Sequence, residues 1–240
     1  MLVAPPTSCR VFPDRFAQLH HFGTSYKEVR VLDRTFKVLA VADVNALVDT
    51  IDPEEFGRDE RFPYWAELWP SSIILGEYCL RSCDRVSPPT VLEIGCGLGL
   101  AGMCAASAGA RVHVTDYEDD ALAFARFNFE HNLSADVIGQ RVTFEKMDWR
   151  TPVIAGKFDI VMGSDVLYER RNFAPILTLV AHALCHGGVA VFTDPHRSTL
   201  PDFLALARNE GFLVSVVDNP PSEEVPPRVS RIEIRHAGTS

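Results

Sequence analysis

The stretch Val91-Leu92-Glu93-Ile94-Gly95-Cys96-Gly97-Leu98-Gly99-Leu100-Ala101-Gly102 constrains the fold more than any other part of the chain. An apolar run enters glycines at alternate positions and continues into a segment of helical character. Glycine lets backbone approach a ligand where a Cβ would collide, and it permits left-handed φ values. A strand, a glycine-rich turn and a helix N-terminus in succession make a corner that receives a nucleotide-like ligand. The chain is therefore expected to be α/β, with this corner at the carboxyl edge of a sheet.

The rest of the pattern agrees. Strand signals fall at 90–94, 111–115, 141–145, 158–163 and 188–193, and helical spacing at 71–83, 100–108, 119–132, 173–185 and 200–209. Pro70 suits a first helical position, and Gly109 and Gly211 follow helix ends. Alternating units of this kind imply a mostly parallel sheet covered on both faces. Strands at 212–217 and 229–235 are joined only by a Pro-rich loop, with no crossover helix, so the last strand should run antiparallel. The expected architecture is a Rossmann-like, doubly wound, seven-stranded sheet over residues 61–240. Residues 1–60 form an extension: a loose lead-in over 1–25, a hairpin (28–32 and 35–41) turning at Asp33-Arg34, a short helix from Asp43 to Thr50, then a charged linker or lid over 52–63.

Composition narrows the function. Lys and Arg number 23 against 32 Asp and Glu, a net charge of −9, and no basic cluster stands out, which argues against a nucleic-acid partner. No window of about 18 apolar residues is present, and the first residues lack a charged segment followed by an apolar one; neither a membrane span nor a secretory signal is expected. Six cysteines include Cys79 and Cys83 four apart, but no Cys/His set completes a zinc site, so they read as reduced, packed thiols. A cytoplasmic monomer without a metal is the expectation.

Gly97-x-Gly99-x-x-Gly102 matches a dinucleotide fingerprint, yet Glu93 beside it would repel a pyrophosphate. S-adenosylmethionine carries no phosphate and has a sulfonium and an ammonium. A carboxylate near the loop would favour that cation or accept hydrogen bonds from the loop. Asp116, ending the second strand of the repeat, suits a ribose diol in either ligand. Asp148 follows the third strand and either accepts from an adenine amino group or serves a turn; Trp149 offers an apolar wall.

Glu93-x-Gly95-x-Gly97-x-Gly99, Asp116, Asp148-Trp149 and Ser164-Asp165-Val166-Leu167-Tyr168 together resemble a class I, seven-β-strand S-adenosylmethionine-dependent methyltransferase. The segment 63–72 with Trp69, and Asp165-x-x-Tyr168, are similar to methyltransferase family 16, a branch rich in protein-lysine methyltransferases. The resemblance spans about residues 60–218. It implies that Glu93, Gly95, Gly97 and Gly99 wall the methionine part of the cofactor, Asp116 holds ribose, and Asp148 and Trp149 hold adenine. It further implies that Trp69 packs at the methionyl end, Ser164 lies at the sulfonium, and Asp165 and Tyr168 face the acceptor. The acceptor implied is a protein lysine, with a small-molecule amine as alternative; Asp165 would orient the amine or take its proton. An NAD(P)-dependent oxidoreductase and a silent binding module are more distant readings. Asp194-Pro195-His196-Arg197 departs from some relatives and sits at the expected substrate rim, and His196 is not expected to be an essential base.

Overall fold

The computed structural model describes residues 12–48, 62–84, 87–222 and 225–237. The expected lead-in before Phe12, the end of the Asp43–Thr50 helix and nearly all of the 52–63 linker lie outside the described residues.

Seven strands form the main sheet: β3 (Thr90–Glu93), β4 (Arg111–Asp116), β5 (Val142–Lys146), β6 (Phe158–Ser164), β7 (Leu184–Asp194), β8 (Phe212–Asn219) and β9 (Val229–His236). Their order is β5-β4-β3-β6-β7-β9-β8. All neighbouring pairs from β5 to β7 are parallel, and β9 is antiparallel to both β7 and β8. The expected antiparallel last strand is present, and it is inserted between its two predecessors. Helices α3 (Leu100–Ser107), α4 (Asp119–Asn132), α6 (Phe173–Ala183) and α7 (Leu200–Asn209) follow β3, β4, β6 and β7 respectively, and α2 (Ser71–Ser82) precedes the sheet.

Both faces of the central strands are covered, so β3, β6 and the second half of β7 carry near-continuous buried runs. Successive side chains point to opposite faces. Val91, Val112 and Val191 enter one core with α2, α3 and α4, while Leu92, Val161 and Phe192 enter the other with α6 and α7.

The N-terminal part belongs to the first of these cores. Strands β1 (Thr24–Val31) and β2 (Arg34–Val41) pair along eight residues each. The turn is Leu32-Asp33, one residue earlier than expected, with Leu32 at φ +56°. The short helix α1 (Val44–Val48) follows. In the described part of the lead-in a 3-10 helix spans Asp14–His21, and Phe12 and Phe16 meet the Phe127 ring of α4 edge-to-face at 5.3 Å. Phe12, Phe16 and Leu19 are all buried. Asn128 on α4, fully buried, fastens the hairpin. Its Oδ1 accepts from Leu39 N–H at 2.7 Å, and its Nδ2 donates to the Leu39 and Leu98 carbonyls at 3.0 Å.

Two further differences have local causes. Helix α5 (Ala135–Arg141) was not expected; it buries no residue and so writes no apolar period, though Ser134 caps it by accepting from Val137 N–H. Strand β7 begins at Leu184, where a helix to residue 185 was expected, and it carries an irregularity opposite Phe158 and Ile160 with Gly187 at φ +80°.

Candidate active site

One cavity opens at the carboxyl ends of β3 to β7, where the chain runs from β3 outward to β4 and later returns past it to β6. Such a switch in strand order leaves a crevice that no helix fills.

The Gly loop forms its inner edge. Gly95, Gly97 and Gly99 all have positive φ and all line the cavity. At Gly95 (φ +61°) a Cβ would meet Val166 Cγ1 at 2.9 Å and Trp149 Cζ3 at 3.1 Å, so the glycine lets the Trp149 ring lie flush with the loop. The third fingerprint glycine answers to a different neighbour: a Cβ on Gly102 would stand 2.2 Å from Glu93 Oε2.

Glu93 therefore corrects the expectation. Its carboxyl lies behind the loop, 3% exposed, and does not line the cavity. Oε1 accepts the Gly102 N–H at 3.1 Å at the start of α3, and Oε2 has no partner among the described residues. Burial pushes its pKa to about 8, opposed by the Gly102 hydrogen bond and reinforced by the Asp116 charge. Near neutral pH it is mostly the uncharged acid, a buttress for the loop with little field to offer a cation.

Asp116, ending β4, is buried at the cavity wall, 7% exposed. Oδ2 accepts the Gly97 N–H at 2.9 Å and Oδ1 the Glu118 N–H at 3.0 Å. Burial raises its pKa, and these backbone donors and the Cys96 thiol pull it back. Asp148 and Trp149 lie after β5 and both line the cavity. Asp148 also serves its turn: Oδ1 accepts the Arg150 N–H at 2.8 Å, and the Arg150 guanidinium engages both oxygens.

The outer end is aromatic and charged. Ser164 ends β6 and lines the cavity. Asp165 follows with φ +58°, an unusual left-handed aspartate. Both its oxygens are occupied: Ser71 Oγ donates to Oδ2 at 3.0 Å, and Arg197 donates to Oδ1 from Nε at 2.9 Å and Nη2 at 2.6 Å. Asp165 is thus ion-paired to Arg197, and each of its oxygens accepts from a side chain. Tyr168 stacks obliquely on Tyr64, ring centroids 5.2 Å apart, and burial pushes its pKa to about 12, so its hydroxyl stays protonated. Trp69 donates Nε1–H to the Tyr64 carbonyl at 2.7 Å. Trp65 packs on Phe22 and Phe124 while also lining the cavity. His196 faces away toward Ser230 and Asp218, outside the cavity lining.

Sequence reasoning put the Asp194–Arg197 segment at the rim without assigning Arg197 a role, and it missed Arg150 and Tyr117 as cavity residues. Only their position just past strand ends marked them.

Among the described residues no His/Cys/Asp/Glu group is arranged to hold a metal ion, and no helix is long and apolar enough to cross a membrane. Solved structures with the same fold include the glycopeptide N-methyltransferase MtfA, crystallised with S-adenosylmethionine (TM-score 0.58, 15% identity, 70% of this chain and 95% of that one). Another is the N-methyltransferase NodS from Bradyrhizobium japonicum (TM-score 0.57, 18% identity, 77% and 96%). Among sequence relatives, protein N-lysine methyltransferase METTL21A of Mus musculus is 29% identical over 67% of this chain and 74% of its own length. The histone-arginine methyltransferase METTL23 of Xenopus laevis is 32% identical over 49% and 50%. Residues 62–201 match the family described as lysine methyltransferase. That segment contains every cavity feature described above, from Trp69 to Arg197, and the chain belongs to this family of class I S-adenosylmethionine-dependent methyltransferases.

Proposed function

We propose that the chain transfers a methyl group from S-adenosylmethionine to the side-chain nitrogen of a protein lysine. The observation that carries this reading is the polarity of this cavity: a glycine-and-carboxylate wall at one end, an aromatic and carboxylate wall at the other. Three positive-φ glycines and a buried Asp116 fit a ribonucleoside that must lie against backbone. In this reading Gly95, Gly97 and Gly99 give backbone contact, Asp116 receives the ribose hydroxyls, and Asp148 and Trp149 flank adenine. Trp69 and Ser164 border the methionyl end, and Tyr168 and Asp165 face the acceptor. Glu93 acts through the loop it supports.

The sulfonium supplies an already activated methyl carbon, so the protein's task is alignment and exclusion of water. The new bond is N–CH3, the broken one S–CH3, and S-adenosylhomocysteine leaves as the neutral thioether. A lysine at its reference pKa of ~10.4 is mostly ammonium at neutral pH. Tyr64, Trp69 and Tyr168 remove water from the incoming amine, which lowers that pKa, and the released proton leaves to solvent.

The names of METTL21A and of the mouse EEF1A lysine methyltransferase 3, 30% identical over 52% of this chain, support a protein acceptor. We further assign the protein to the cytosol as a monomer; the five described cysteines are all free thiols. Radiolabelled S-adenosylmethionine incubated with protein and cell lysate should label a polypeptide on lysine, read by mass spectrometry. Label confined to small molecules overturns the protein-acceptor reading and favours an amine acceptor on the same fold.

A further inference from the structure

At the outer end of the cavity stands a cation that belongs to the protein itself. The Arg197 guanidinium carbon lies 5.8 Å from the Trp69 ring centroid and 5.9 Å from that of Tyr168, both within cation–π range. Its Nε and Nη2 make a charge-assisted pair with Asp165 Oδ1. Two aromatic faces and a buried carboxylate are what a cationic side chain needs for recognition in a desolvated place. Here that arrangement is already filled.

Arg197 is also placed so that it can leave. Its backbone is anchored independently: Asp194 Oδ1 accepts the Arg197 N–H at 2.7 Å, and Thr199 Oγ1 donates to the Leu167 carbonyl at 3.0 Å. The side chain is 32% exposed, whereas that of Asp165 is 5% exposed. The guanidinium therefore has an outlet to solvent by side-chain rotation alone, and the carboxylate does not. Asp165 keeps its Ser71 hydrogen bond on the other oxygen whichever cation it faces.

We propose that Arg197 is a specificity-determining resident cation, occupying the acceptor's charged position between Trp69, Tyr168 and Asp165, so that an acceptor enters by exchanging its own cation for the guanidinium. This rests on the methyltransferase reading for the acceptor's identity. The exchange nearly conserves charge at Asp165, so a primary ammonium competes well and an uncharged amine or heterocycle does not. Arg197 thereby selects cationic side chains and closes the buried carboxylate when no acceptor is present.

The test uses the full chain with S-adenosylhomocysteine present and n-butylammonium as a lysine-head probe, titrated calorimetrically. Arg197→Met should bind the probe at least tenfold more tightly than wild type, and adding Asp165→Asn should remove the gain. In Arg197→Ala, methylguanidinium should compete with n-butylammonium for the vacated place. A purely structural Arg197 would give no tightening and no competition, and either result overturns the proposal. If these variants fail to fold, the wild type still decides. The Arg197 Nε–H resonance should lose its hydrogen-bonded shift as n-butylammonium is added, and an unchanged resonance at saturation overturns the exchange. Failure of wild type to bind S-adenosylhomocysteine would instead count against the methyltransferase reading, since probe binding is read separately.

Discussion

Asp116 and Asp165 end adjacent regions of the same sheet edge and are equally buried, each 7% exposed. Their partners differ in kind. Asp116 is held by backbone N–H groups of Gly97 and Glu118, whereas Asp165 is held by the Ser71 hydroxyl and the Arg197 guanidinium. Backbone donors are neutral and cannot swing away, so the Asp116 carboxyl is fixed in place. Side-chain donors can be exchanged, and a guanidinium cancels the charge it meets. One half of the cavity is consequently a rigid socket, and the other a site whose electrostatics depend on what occupies it.

Substitutions can break or sharpen that contrast. The largest effect should come from Asp116→Ala, which should weaken S-adenosylhomocysteine binding about 100-fold, or about 2.7 kcal/mol, in calorimetry. Asp165→Asn should leave that affinity within about threefold and lower turnover instead; equal loss in both would erase the distinction.

Next is Gly102→Ala. In an ordinary helix this change gains about 1 kcal/mol. Here the new methyl would collide with Glu93 Oε2, and urea unfolding should show a loss of about 2 kcal/mol.

Glu93→Gln probes the buttress by pH. The folded-state pKa of Glu93 is raised to about 8 from an ordinary 4.5, so the folded protein holds a proton that the unfolded chain has released between those values. Stability from this group is therefore full below about pH 4.5 and is lost as pH rises toward 8, by up to about 1.4 kcal/mol per pH unit. Glutamine mimics the neutral acid and should flatten that slope, leaving the variant similar to wild type at pH 5 and more stable at pH 8.5. Parallel urea titrations at the two pH values decide it.

Ser71→Ala should be the mildest, costing about 1 kcal/mol in unfolding with S-adenosylhomocysteine affinity unchanged within twofold. A large loss of affinity would mean that the two halves are coupled.

Much of this was legible in sequence, for physical reasons that differ residue by residue. The glycines announced a tight approach to backbone because no other residue tolerates it, and Asp116 was marked by standing where a strand ends. Glu93 was offered two roles, favouring a cationic ligand or accepting hydrogen bonds from the loop; it accepts the Gly102 N–H, and burial, which raises its pKa to about 8, weakens the first. Its carboxyl also explains why residue 102 is glycine. The family membership, not the charge argument, settles the ligand class. Arg197 was placed at the rim but given no role, because its setting depends on three partners, Trp69, Asp165 and Tyr168, drawn from two other chain segments. Helix α5 escaped because a helix that buries nothing leaves no period to read.

The insertion of β9 between β7 and β8 has a bearing on how the protein is made. Of the nine strands among the described residues β9 is the last to be synthesised, and until it arrives β7 and β8 cannot join, since each pairs only with β9 on that side. From the synthesis of β7 until β9 emerges, the nascent chain must carry an open β7 edge and an unpaired β8. Exposed strand edges of this kind template aggregation. Ile232 and Ile234, which end up fully buried, close both edges in a single late event. A ribosome stalled before Val229 would therefore hold a nearly complete cofactor-binding half beside an unfinished and adhesive sheet.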